Sequence, residues 1–143
     1  MKPNTRLSKD DCDPNPKPDF HRRYRGIIGS LGYLVTMTRP DLAWSYSDLS
    51  KYGQFPGIAH MAAAEHVLQY LPDTWNESIT YTCGSPNPNE LWEWVDADWA
   101  GDTDTRRSHT GYILMMNGGP ISWKSRRQDN VRSEEHTSEL QSR

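Results

Sequence analysis

The chain has 143 residues and a formal net charge of −3, so it holds one ordinary domain or two partial ones and is not a globally basic nucleic-acid binder. Apolar residues make up only 34% of the chain, but six Trp and seven Tyr provide large contact areas. We therefore expect a small, local core where these aromatic side chains cluster. Cys12 and Cys83 are too few for a disulfide framework or a zinc cage and fit a reducing compartment.

The amino-terminal residues have no apolar core of the kind found in signal peptides, and no stretch approaches the roughly eighteen apolar residues of a membrane helix. We therefore expect an intracellular protein, cytoplasmic or nuclear, that has no membrane partner.

Helical periodicity dominates the first half of the chain. Residues 1–23 are polar and rich in proline, and we expect them to be a disordered lead-in. Apolar residues then predict a helix at about 24–36, a second from Pro40 to Gly53, and a third that ends before Pro72. Residues 24–75 are predicted to form a small helical subdomain.

Strand signals dominate the second half. Four short strands are predicted, the last two as a hairpin: 79–82, 91–96, 111–116 and 121–124. The hairpin turn is Asn117-Gly118-Gly119, because glycine accepts the positive φ angles that tight turns need. The predicted fold class is α+β, with a three-helix segment followed by an incomplete sheet, mixed or antiparallel.

Several motifs follow one another between residues 24 and 131. The helical region reads YRGIIGSLGYL from Tyr24, TRPDLA from Thr38 and HMAAAEHVLQYL from His60. The second half reads DADWAGD from Asp96, and it continues with RRSHTGY and GGPISWKS. The order of these motifs resembles their order in the Pol polyprotein of copia-type (Ty1/copia) retrotransposons. One departure, Pro-Asp-Thr at 72–74 in place of the family's Lys-Gly-Thr turn, changes a loop and leaves the register intact.

The resemblance implies a division of the chain and a function for its parent. Residues 24–75 would be the helical region after the reverse transcriptase palm, and 76–131 a partial ribonuclease H-like domain. The parent polyprotein would copy RNA into DNA and cleave the RNA of an RNA–DNA hybrid with Mg²⁺, so its partners would be hybrid or DNA and the rest of Pol. The palm with its paired aspartates is missing from the sequence, so we expect this chain alone to be inactive and to bind no cofactor.

One aspartate is the main candidate site residue. By the resemblance, Asp96 matches the first metal-binding aspartate of ribonuclease H, and Asp98 is the alternative because it would share the same face of a continuing strand. The chemistry needs several carboxylates around two Mg²⁺ ions about 4 Å apart, which one strand does not supply. Without the resemblance, Asp96, Asp98, Asp102 and Asp104 are typical of a solvated acidic turn.

Basic and histidine residues are weaker candidates. Two clusters could contact nucleic acid: Arg22 and Arg23 before Tyr24, and Lys124, Arg126 and Arg127 after the hairpin. A solvated charged surface is the alternative interpretation of both clusters. His60 and His66 are six residues apart, so they do not share a helix face as zinc ligands would, and we interpret them as ordinary helix residues.

Residues 132–143 read RSEEHTSELQSR, at the point where the family continues with an ALSSTEAEY helix that carries a catalytic glutamate. This tail resembles the translation of a common sequencing adaptor, so we interpret it as an assembly artefact and exclude it from the fold. Two alternative hypotheses are a host-retained nucleic-acid or protein binding module without catalysis, and a minimal nuclease that uses a glutamate of the tail. The adaptor match argues against the nuclease.

Overall fold

Helices precede strands along the chain. The computed structural model describes residues 7–83, 89–98 (97 and 98 by their backbone), 104–105 and 107–128. Within these residues lie three α-helices and three strands: α1 (Pro18–Met37), α2 (Ala43–Ser50), α3 (Ile58–Asp73), β1 (Leu91–Asp98), β2 (His109–Met116) and β3 (Gly119–Arg127). The strands form one antiparallel sheet in the order β1-β2-β3. The predicted α+β fold with an incomplete sheet is confirmed.

The hydrophobic core lies among the helices. Leu31 of α1, Leu49 of α2 and Ala64 of α3 are fully buried, and the other buried apolar side chains of the described residues come from the same half of the chain. Full burial of one leucine contributes about 1.5–3 kcal/mol. The core is therefore local, as predicted, but it does not lie where the tryptophans cluster, because no described Trp side chain is among its buried residues.

The segment before α1 is packed against the helices, and the prediction of a disordered lead-in was wrong for residues 7–23. Leu7 is only 5% exposed, and its carbonyl accepts a 3.0 Å hydrogen bond from the Tyr52 hydroxyl. α1 begins at Pro18, six residues earlier than predicted. Proline fits the first turn of a helix, where its missing N–H would have no helical partner, and Asp19 stabilises the positive end of the helix.

Two further boundaries differ from the prediction. α3 runs through Pro72 to Asp73, because a proline in the last turn removes little helical hydrogen bonding and the Thr74 N–H closes the turn on the Leu71 carbonyl. Residues 79–82 are not a strand. This segment instead makes isolated bonds to the end of the hairpin, one of them a 2.8 Å bond from the Thr82 N–H to the Asn117 carbonyl.

The hairpin is confirmed. Asn117 and Gly118 have φ angles of 52° and 81°, which are the positive values of a two-residue type I′ turn between β2 and β3. The flanking strands are longer than predicted, and the register shifts between Leu114 and Met115. This turn holds β3 beside β2 and thereby positions the side chains of the candidate site.

Candidate functional site

One face of the sheet is turned toward the helices. Asp96 of β1 pairs with Gly111 of β2, which pairs with Ser125 of β3. Side chains alternate between the faces of a sheet, so Asp96 and Ser125 share a face with Trp123. The Trp123 indole N–H donates a 2.6 Å hydrogen bond to the carbonyl of Val35 near the end of α1. That bond fixes which face of the sheet meets the helical part.

His109 makes a second contact between helices and sheet. Its side chain is only 8% exposed, and its two ring nitrogens lie 3.4 Å from the Ser47 hydroxyl of α2 and 3.3 Å from the Ser125 hydroxyl of β3. The sequence reasoning missed this residue. A single histidine in a strand carries no spacing signal, so nothing in the sequence alone identified it.

A cavity of about 700 Å³ lies between the start of α2 and the sheet. Trp44 of α2 stands on one side, and Trp94 of β1 and Trp123 of β3 line the sheet side. Trp44 and Trp94 are 50% and 63% exposed. The sequence reasoning missed Trp44 as a site residue. Its signal was present, because the apolar residues that recur at helical spacing in the second helix, Leu42, Tyr46, Leu49 and Tyr52, leave Trp44 off their shared face.

Asp96 lines this cavity and its side chain is exposed. Among the residues that the structure describes, none donates a hydrogen bond to the Asp96 carboxylate or forms an ion pair with it. Gly111, opposite Asp96 on β2, has no side chain to cover that carboxylate. The predicted ligand therefore lies at an accessible position on the sheet.

The other carboxylate among the described residues that line the cavity, Asp41, is already paired. Arg39 donates to it from Nε at 3.0 Å and from Nη2 at 2.7 Å. Burial alone would raise the pKa of Asp41, but the hydrogen bond and charge of Arg39 outweigh it, and the pKa is lowered. The same hydrogen bond raises the pKa of Arg39, which also lies over the Tyr70 ring and donates to the Thr74 hydroxyl.

The remaining predicted carboxylates do not assemble around Asp96 in the described part of the chain. The side chain of Asp98 and all of Asp102 lie outside the described residues. Asp104 accepts two bonds, of 3.0 and 3.1 Å, from the backbone N–H of Lys9. Over the described ranges, no group of three His, Cys, Asp or Glu side chains could hold a metal ion. These residues do not fit a two-metal site by themselves, and no catalytic step follows from them.

Of the predicted nucleic-acid contacts on β3, Arg127 shares the face of Asp96, whereas Lys124 and Arg126 lie on the opposite face. Arg22 pairs with Asp19 at 3.3 Å, and Arg23 pairs with Glu65 of α3 at 2.7 Å. Lys124 lines the cavity, whereas Arg126 and Arg127 do not. Consecutive residues of a strand point to opposite faces, so the three basic residues of β3 are divided between the two faces of the sheet. The prediction of nucleic-acid contact by either cluster stays a prediction.

Within the part of the chain that the structure describes, no helix has the length and hydropathy needed to cross a membrane.

Comparison with known proteins gives several relatives. The chain is 45% identical over 108 residues to the retrovirus-related Pol polyprotein from transposon RE2 of Arabidopsis thaliana, which covers 76% of this chain and 7% of that protein. It is 39% identical over 108 residues to the corresponding polyprotein from transposon TNT 1-94 of Nicotiana tabacum, covering 76% and 8%. It is also 39% identical to secreted RxLR effector protein 161 of Plasmopara viticola, covering 76% and 75%. No protein-family profile and no solved structure matches the chain.

This α+β chain aligns over about three quarters of its length with transposon proteins, and it is therefore a retroelement protein. More specifically, the chain belongs to the retrovirus-related Pol polyproteins of copia-type transposons. It spans less than a tenth of the length of the RE2 and TNT 1-94 polyproteins.

Proposed function

We propose that the chain is the part of a retrotransposon Pol polyprotein that joins the reverse transcriptase to its ribonuclease H domain. The helical part would be the end of the reverse transcriptase, and β1–β3 would be the opening strands of the nuclease. The observation that carries the proposal is Asp96, an exposed carboxylate without a described partner on the first strand of an antiparallel three-stranded sheet. We expect such a polyprotein to act in the cytoplasm or nucleus on an RNA–DNA hybrid.

In the complete polyprotein Asp96 would be one ligand of Mg²⁺, with Asp98 as the alternative, and further carboxylates would come from other parts of Pol. Bound Mg²⁺ supplies the activation of water and the stabilisation of the leaving oxygen. The role of this chain is to hold Asp96 on a strand that is paired along its length with β2. Because it supplies one described carboxylate, the chain alone is expected to carry out neither DNA synthesis nor hybrid cleavage.

The test uses the complete Pol polyprotein and, separately, the 143-residue chain. With Mg²⁺ and a hybrid whose RNA strand is labelled, Asp96→Asn should reduce RNA cleavage by Pol roughly 100-fold or more and leave DNA synthesis intact. Asp73→Asn, an exposed aspartate at the end of α3, is the matched control and should change neither activity. Full cleavage by the Asp96 variant would contradict the proposal, as would hybrid cleavage by the isolated chain.

A second candidate function is a binding module without catalysis. It is favoured by the short relatives, since the alignments cover 75% of the Plasmopara viticola effector and 72% of the Arabidopsis thaliana mitochondrial protein AtMg00240. Against it, Arg22 and Arg23 are both ion-paired, which reduces the positive charge available to phosphates. Binding of an RNA–DNA hybrid with an affinity that falls steeply as salt rises would support a nucleic-acid binding module, and no binding at low salt would exclude that form of the function.

A further inference from the structure

We propose that the cavity between α2 and the sheet binds an alkylated ammonium group, a small organic monocation. This inference goes beyond the proposed function, because hybrid cleavage requires no such ligand. It rests on the aromatic walls of the cavity, on Asp96, the carboxylate of the described lining that has no described partner, and on the size of the cavity.

The described residues that line the cavity include three indoles: Trp44 on the helix side, and Trp94 and Trp123 on the sheet side. Single exposed aromatic side chains are common, but Trp44 and Trp94 are at least half exposed and line the same cavity, and such a group marks a binding surface. An indole is the aromatic side chain that attracts a cation most strongly through the face of its ring. Indoles on facing walls therefore favour a ligand that is apolar on its outside and positively charged.

Two of these indoles are held in place before any ligand arrives. The N–H of Trp123 is bound to the Val35 carbonyl at 2.6 Å, so its ring edge is anchored to α1. Trp94 packs edge-on against Trp92, with ring centroids 5.6 Å apart and planes at 68°. Rings that are already restrained lose little conformational entropy when a ligand binds, and affinity benefits from that preorganisation.

The charges of the cavity favour a monocation over an anion. Asp41 is neutralised by Arg39, which leaves Asp96 as the carboxylate without a partner among the described residues. Among the residues that the structure describes, Lys124 is the one lysine or arginine that lines the cavity, and Arg127, on the same face of the sheet as Asp96, lies outside that lining. Lys124 pairs with Tyr112 and directly follows Trp123 in β3, so its side chain points to the face of the sheet opposite to Trp123 and Asp96. A phosphate or a nucleotide would therefore meet an uncompensated negative charge.

The volume of the site sets the size of the ligand. A cavity of about 700 Å³ lies within the usual range for small-molecule sites and accommodates a quaternary ammonium headgroup with a short chain. With few atoms in such a ligand, the expected affinity is on the order of millimolar. The site therefore suits the headgroup of a larger molecule or a methylated side chain better than a metal ion.

The experiment titrates the full 143-residue chain with choline and with 3,3-dimethyl-1-butanol, which has the same shape and no charge. Binding is followed by NMR through the upfield shift of the ligand methyl protons near indole rings and through the six indole N–H signals. Choline should saturate, and the neutral isostere should bind at least roughly threefold more weakly. The indole signals of Trp44, Trp94 and Trp123 should move.

Three variants test which residues act. Asp96→Asn and Trp94→Leu should each weaken choline binding by roughly two- to fivefold. Trp75→Leu removes an indole that is 81% exposed and does not line the cavity, and it should leave the affinity unchanged. All three residues are exposed, and circular dichroism checks that each variant keeps the fold.

Equal binding of choline and its neutral isostere would overturn the proposal, as would the absence of saturation or an unchanged affinity in both cavity variants. Stronger binding of a nucleoside monophosphate at the same indoles would overturn it in favour of a nucleic-acid surface. The titrations contain EDTA and no hybrid, so failure here leaves the proposed role of Asp96 in RNA cleavage unaffected.

Discussion

Gly57 is the position where one added methyl group should have the largest effect on the fold. A Cβ built on Gly57 would lie 1.8 Å from the Asp11 carbonyl oxygen, and real Cβ atoms essentially never approach closer than 3.0 Å. The segment at Asp11 would therefore have to move by at least about 1.2 Å. The backbone of Gly57 is extended, with φ −100° and ψ −178°, so an alanine would suffer from the contact and not from its backbone angles.

The cost of Gly57→Ala follows from what the displaced segment contributes. Its movement would expose Leu7, whose burial contributes about 1.5–3 kcal/mol. It would also break the bonds of the Leu7 carbonyl with Tyr52 and of the Ser8 carbonyl with His60, each worth about 0.5–1.5 kcal/mol. We expect the free energy of unfolding, measured by urea titration, to fall by about 3 kcal/mol.

Two further substitutions separate this contact from other effects. Serine is a better helix N-cap than glycine, so if capping dominated, Gly57→Ser would stabilise the protein. If the steric contact with Asp11 dominates, Gly57→Ser should destabilise it as alanine does. Gly29→Ala in α1 has no atom within 4 Å of the added Cβ and should stabilise the helix by about 0.5–1 kcal/mol. Wild-type stability of Gly57→Ala, or stabilisation by Gly57→Ser, would refute the reasoning.

Three other predictions concern buried polar groups. Burial lowers the pKa of His60 from its usual 6.5, although the Ser8 carbonyl and nearby aspartates act in the other direction. The unfolded state therefore binds more protons than the folded state as the pH falls. The contribution of neutral His60 to the free energy of unfolding should be complete above about pH 6.5 and decrease below it. His60→Gln should make the free energy of unfolding less dependent on pH in this range. Tyr24→Phe removes a 2.8 Å bond from a buried hydroxyl to a carbonyl of α2 and should cost about 1–2 kcal/mol, whereas Tyr33→Phe, at a side chain 67% exposed, should change stability by less than about 0.5 kcal/mol. Trp123→Phe loses the indole bond to α1 and should speed hydrogen exchange of the β3 amides.

Each of these expectations has a contrary result. Stability that is constant from about pH 5 to 8 would show that His60 is not buried in its neutral form. Equal losses of stability in the two tyrosine variants would show that the hydrogen bond of the Tyr24 hydroxyl does not stabilise the fold. Unchanged exchange in β3 would show that the indole bond does not hold the sheet to the helices.

Much of the fold could be predicted from local patterns. The apolar spacing identified all three helices of the described residues, because amphipathic helices must bury one stripe. The Asn117-Gly118 turn was predictable because few residues accept positive φ. The start of α1 was not, because Pro18 initiates the helix whereas the prolines before it favour extended backbone.

The site was predictable only in part. Asp96 was identified through the motif order, but the cavity depends on long-range pairing. His109 meets Ser47 across 62 residues, and Trp123 meets Val35 across 88, so neither contact has a local signature. The acidic run also gave no sign that Asp104 would bind the backbone of Lys9 instead of lying beside Asp96.

If the chain is the proposed part of a Pol polyprotein, its reading frame encodes a ribonuclease H domain that continues past β3. Re-sequencing the genomic locus across the codon for Val131 tests this proposal most directly. We predict that the frame continues into a helix like the family's ALSSTEAEY segment, with the glutamate that would join Asp96 in the nuclease. A locus that encodes RSEEHTSELQSR instead would contradict this proposal and favour a repurposed binding protein.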